Sequence, residues 1–146
     1  MALTASPRRP PLLGRVPETP APAGGQGIVV TRGRAPGGPE IWIHGCLTLE
    51  EVRATKRSPE IWVRALTAVA ISQRDQNPYV SNLIGDRLIA ADDIEIVGNG
   101  PSALALVAFS FPLLERLGLA PREEIYYVQV SSREIRSNVL VVDVGG

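Results

Sequence analysis

Cysteine, histidine and methionine each occur once in the 146 residues, and aromatic side chains make up only 5%. One cysteine, Cys46, excludes an intrachain disulfide framework and suits a reducing compartment, or an assembly that is stable without crosslinks. A closed zinc or copper site needs two ligands beyond His44 and Cys46, and the chain holds no other imidazole or thiol to supply them. Long apolar runs are lacking too. The longest, residues 103–111, is interrupted by Ser110 and followed by Pro112, far short of a membrane span, so no membrane partner is expected. Arg8 and Arg9 lead into Pro10 and Pro11 rather than into an apolar segment, so no signal peptide is expected and an intracellular or virion-associated protein is the default. Nucleotide fingerprints are also missing. Gly98-Asn99-Gly100-Pro101-Ser102 lacks the third glycine of a dinucleotide loop and the Gly-Lys-Ser of a triphosphate loop, and a hairpin turn accounts for it.

Proline is abundant at the start. Residues 1–26 carry Pro7, Pro10, Pro11, Pro17, Pro20 and Pro22, then Gly24-Gly25. Missing donors and a fixed φ rule out a helix or a central strand there and predict an extended, polyproline-like arm with few apolar anchors: Leu3, Leu12, Leu13 and Val16. Net charge is zero but unevenly spread. Residues 1–38 hold five arginines (Arg8, Arg9, Arg15, Arg32, Arg34) against Glu18, and the remainder is acidic by the same margin of four. A basic arm on an acidic body can dock on a neighbouring copy, on another acidic subunit or, more weakly, on nucleic acid. Without aromatics between its arginines, the arm is not suited to stacking on bases.

From residue 27 onward, short runs rich in Val, Ile and aromatics alternate with turn residues. The pattern predicts strands over residues 28–31, 40–44 (continuing toward 49), 61–72, 88–97, 103–111, 125–131 and 139–144. A short helix is expected at 50–57 behind Thr48 as N-cap, a helical turn at 113–119, and an irregular loop at 73–87, where Asn77-Pro78 and Gly85-Asp86 are turn formers. Strands joined by turns argue for antiparallel pairing, hence a mostly β fold: a sandwich over residues 27–146 with the Pro-rich arm of residues 1–26 outside it. Pro39-Glu40-Ile41-Trp42-Ile43 is echoed by Pro59-Glu60-Ile61-Trp62-Val63, which reads as two strands with equivalent starts, each with its Trp on one face and Ile or Val on the other.

Tyr126-Tyr127-Val128-Gln129-Val130 followed by Ser137-Asn138-Val139-Leu140-Val141 resembles the final hairpin of immunoglobulin-like domains, including the TIG type. The likeness covers about twenty residues and implies an immunoglobulin-like β-sandwich used as a spacer or binding module, with no catalytic residues to carry over.

Candidate chemistry is sparse. His44 and Cys46, two apart on a strand, share a face, where a core or interface pair is the simplest reading; metal binding or a cysteine nucleophile with a histidine base stays open. Asp86, Asp92, Asp93 and Glu95 form the densest acidic cluster but lack calcium-loop spacing, and a solvated rim is expected. The closing Gly145-Gly146 suits a ubiquitin-like or sulfur-carrier tail as well as a frayed end. The leading expectation is a non-enzymatic structural subunit of a larger assembly, such as a phage-like particle or secretion apparatus. It needs no cofactor and has other copies of itself or other subunits as partners. Arg8, Arg9, Leu12, Leu13 and Arg15 would dock the arm on a neighbour. The runner-up is a stand-alone module binding a protein or glycan through Asn77, Tyr79 and Asn82.

Overall fold

A computed structural model describes residues 12–34, 40–50, 61–89, 93–98 and 103–145. Its strands are β1 (Leu12–Leu13), β2 (Gly27–Arg34), β3 (Ile41–Leu49), β4 (Ile61–Val63), β5 (Leu66–Ser72), β6 (Pro78–Ile84), β7 (Arg87–Ile89), β8 (Glu95–Val97), β9 (Leu104–Pro112), β10 (Glu124–Ser132), β11 (Ile135–Arg136) and β12 (Leu140–Val144), with one short helix, α1 (Leu113–Leu117). The fold is mostly β and its strand pairings are antiparallel, as the turn-punctuated sequence predicts.

The first sheet runs β9–β3–β2, and the far edge of β9 is shared end to end by β8, opposite Leu104 to Leu106, and β1, opposite Phe109 and Ser110. The second runs β10–β5–β6, with β11 and β12 sharing the other side of β10. A small third sheet pairs β4 with β7. Alternate residues of both five-stranded sheets enter one core: Ile28 and Val30 from β2, Ile43 and Leu47 from β3, Phe109 and Phe111 from β9, Ala68 and Ala70 from β5, Tyr126 and Val128 from β10. β10 alternates strictly between buried and half-buried positions, as a strand with one face on a core must.

Two devices close the sheet edges. Along β2, Val30 N–H donates to Asn138 Oδ1 at 2.9 Å and Val30 C=O accepts from Asn138 Nδ2 at 3.0 Å, so a side-chain amide stands in for a neighbouring strand. Along β6, buried Arg116 of α1 donates to the carbonyls of Asn82 and Leu83 at 2.9 and 3.0 Å. Gly45 has a packing reason: it lies opposite Phe109, and a Cβ there would overlap the ring.

Three expectations are corrected. Residues 73–87 are no loop, because β6 occupies their middle. Asn77-Pro78 and Gly85-Asp86 bracket the strand rather than filling a loop, and proline is tolerated at the first residue of an edge strand because its missing donor faces no partner. The strand predicted over residues 61–72 breaks at Arg64-Ala65, where side chains take the backbone groups: Asp86 Oδ1 accepts from Ala65 N–H at 2.7 Å and Ser132 Oγ donates to Arg64 C=O at 3.2 Å. The chain thereby passes from the small sheet into the second. The strand predicted over residues 88–97 is two strands in different sheets, β7 and β8. The helix predicted at 50–57 falls, after its first residue, outside the described residues, as do residues 99–102 of the expected turn.

Candidate functional site

The outer face of the first sheet carries Trp42, His44, Cys46 and Thr48 at alternate positions of β3, opposite Pro112, Ser110, Ala108 and Leu106 of β9. His44 is 4% exposed and Cys46 fully buried, so this face is covered. The chain just after β1 reaches it: Gly14 N–H donates to Ala108 C=O at 3.0 Å, the Arg15 guanidinium lies beside the Cys46 thiol, and the Glu18 carboxylate is close enough to bias His44. His44 Nδ1 and Ser110 Oγ lie 2.7 Å apart, whereas buried Nε2 has no hydrogen-bond partner and faces Gly33, whose missing side chain leaves room for the imidazole. Burial holds the His44 pKa below the usual histidine range, against a smaller upward pull from Glu18. Burial raises the Cys46 thiol, with Arg15 opposing, so the sulfur is a protonated, shielded thiol at neutral pH. His44 and Cys46 do share a face. Their buried setting favours packing over turnover, and among the described residues no three His, Cys, Asp or Glu side chains converge on a metal position.

Of the expected arm-docking residues, Leu12 and Leu13 form β1 on their own chain's β9, Leu13 packs against the core and Leu12 is exposed. Arg15 pairs with Glu95 at 3.1 Å, both half-exposed. Arg8 and Arg9 lie outside the described residues. The expected loop-binding residues do not gather on a loop. Tyr79 and Asn82 belong to β6. The Tyr79 ring meets buried Tyr126 edge to face at 6.1 Å, pinning β6 to the core; Asn82 accepts from Thr67 Oγ1 at 3.2 Å, and Asn77 C=O accepts from Ser72 N–H at 3.2 Å to close the β5–β6 turn. The acidic cluster disperses as well: Asp86 serves Ala65 and Arg64, Glu95 serves Arg15, and Asp92 lies outside the described residues. Gly145 adopts φ +99° against Glu123, a left-handed conformation that accounts for glycine there; Gly146 is not described.

The surface that sequence reasoning missed is the outer face of the second sheet. Register and burial place Val69 and Ile71 of β5, Val80 of β6, Tyr127 and Gln129 of β10 and Val141 of β12 on it, with Val139 just ahead of β12. Val80 is 59% exposed, Val139 55% and Val141 63%. In β5, whose inner face already buries Leu66, Ala68 and Ala70, Val69 and Ile71 make the outer face apolar too. The signal was in the sequence: a strand that is solvated on one face alternates apolar with polar, and Leu66-Thr67-Ala68-Val69-Ala70-Ile71 does not. Among the described residues no helix is long and apolar enough to cross a membrane. No protein-family model, no curated protein and no solved structure matches the chain, so the geometry of these two sheets is what bears on function.

Proposed function

We propose that the chain is a non-enzymatic structural subunit that packs into a larger protein assembly, of the kind a phage-like particle or a secretion apparatus is built from. One observation carries this reading: the open face of the second sheet presents valine, isoleucine and tyrosine side chains side by side, with charge among its paired positions only at the two ends of the edge column. Contiguous apolar patches on a folded chain mark contact surfaces, because leaving them in water forfeits about 25 cal/mol per Å² of burial. On the same reading the two sheets are those of an immunoglobulin-like sandwich ended by the β10–β12 hairpin. The basic residues ahead of Leu12, Arg8 and Arg9, are the part of the arm left to reach a neighbour. The test is the native mass of the full chain over a concentration series. Species larger than one chain are expected, and Val80→Glu shifts them toward the monomer. A single-chain mass at every concentration overturns the reading.

A second reading, a stand-alone module for a protein or glycan, is supported by Trp62 of β4. It is 52% exposed and paired across the small sheet with Leu88, itself 48% exposed. An exposed indole beside an aliphatic side chain is a platform for a sugar face or an apolar peptide residue. Binding to a glycan array that is lost in Trp62→Ala, with native mass unchanged, would favour it.

A further inference from the structure

The open face of the second sheet carries two charged side chains among its paired positions: Asp143, opposite Ile125, and Arg136, opposite Ser131. Both project outward, because Ile125 and Ser131 share the parity of Tyr127 and Gln129, whereas Tyr126, Val128 and Val130 are buried. Both also lie on the same side of β10, since β11 and β12 divide that edge between them. The column therefore ends in an acid at one extreme and a base at the other, six residues apart along β10, or roughly 20 Å. Between them the face is neutral.

We infer that this face is an isologous homodimer interface, on which a second copy of the chain packs sheet to sheet about a two-fold axis lying in the interface, across the strands and level with Val128. The inference rests on the assembly reading and names its first partner. Rotation about that axis keeps each strand column over its own counterpart and reverses its direction. Asp143 of one copy then meets Arg136 of the other, and the second pair forms by symmetry. The uncharged positions match in the same operation: Ile71 falls over Val69 of the second copy, Val141 over Val139, Val80 over Pro78 and Tyr127 over Gln129. Packed sheets are rotated by about 30° from strict alignment, an offset at the column ends that a long arginine side chain can span. An axis running along the strands would instead set the β11–β12 column over β6, with Arg136 over Asn82 and Asp143 beyond the start of β6, so Asp143 and Arg136 of the two copies do not meet. The charges thus select the orientation while the aliphatic positions supply the contact. Four columns spaced about 4.8 Å apart and about 20 Å long make a patch at the low end of specific interfaces, so a dimer that dissociates on dilution is expected.

The test is sedimentation velocity on the full chain over a concentration series, with wild type, Asp143→Arg, Arg136→Asp and the double variant Asp143→Arg/Arg136→Asp. The expected result is a concentration-dependent dimer in wild type. Each single reversal, presented twice by the symmetry, weakens it by about ten-fold or more, and the double variant regains it. A dimer or larger oligomer that ignores both single reversals overturns this interface while leaving the assembly reading standing. One that responds to Val80→Glu but not to the charges places the contact on this face in another orientation, and overturns the proposed axis. A monomer at every concentration overturns both. All substituted positions are exposed, and unchanged circular dichroism confirms that each variant is folded.

Discussion

His44 is a buried titratable side chain with one ring nitrogen bonded to Ser110 and the other left bare. Its Nε2 is buried against Gly33 with no acceptor or donor, and its pKa is lowered by that burial. The native state therefore holds a neutral imidazole, while the unfolded chain takes up a proton below about pH 6.5. Stability is complete above that value and falls as the pH drops through the window between the unfolded and the lowered folded value, by at most about 1.4 kcal/mol per pH unit for one proton. The melting temperature of wild type is expected to decline through that window, and His44→Gln to flatten the profile there. A wild-type profile already flat there would contradict the buried neutral imidazole. Gly45 presents the opposite situation, a contact that is too close for any side chain. Gly45→Ala drives a methyl into the Phe109 ring, and overpacking of this kind costs about 1–3 kcal/mol. Urea unfolding should show a lower midpoint with an unchanged slope. The sequence suggested a core or interface setting for His44 and Cys46, but not the partners of His44 or of Gly45. His44-Gly45-Cys46 predicts a shared face for His44 and Cys46, but the pairing of β3 with β9 brings Phe109 opposite Gly45 and Ser110 opposite His44 from more than sixty residues away.

Among the elements, the last hairpin was the most legible. Tyr126 to Val130 alternates at a period of two, and Ser137-Asn138 was marked as the opening of the final strand. Hidden from the sequence was the object of that Asn138, which lies on β2, 108 residues away. Asn138→Asp keeps the acceptor for Val30 N–H but faces Val30 C=O with a second oxygen, so both Asn138→Asp and Asn138→Ala should cost about 1–2 kcal/mol. Hydrogen exchange at Val30 N–H should accelerate far more in Asn138→Ala than in Asn138→Asp. Equal rates in the two variants would mean that the amide does not seal this edge. The misread element, β6, failed for a matching reason. Turn formers at Asn77-Pro78 and Gly85-Asp86 are read locally, whereas the strand between them exists through β5 on one side and the Arg116 guanidinium of α1 on the other.

At the scale of the whole molecule, the course of the chain after Leu12 decides how the rest behaves. Residues 14–18 approach the outer face of β3 and bring Arg15 beside Cys46. The thiol of the full chain should therefore resist iodoacetamide until the protein is denatured. Removal of residues 1–26 should open Cys46 to alkylation, while removal of residues 1–11 alone should not. Rapid labelling of the intact native chain would show that the segment does not cover this face. The sequence by itself determined the class of structure: short runs rich in Val, Ile and aromatics, separated by turn residues, make antiparallel β sheets, and six prolines argue against a helix over residues 1–26. Tertiary structure alone decided which apolar faces are covered. Strand periodicity says that two faces exist, but whether each meets a core, a passing segment or water depends on pairing between distant strands. That pairing buries the His44 face of the first sheet and leaves the valine face of the second open.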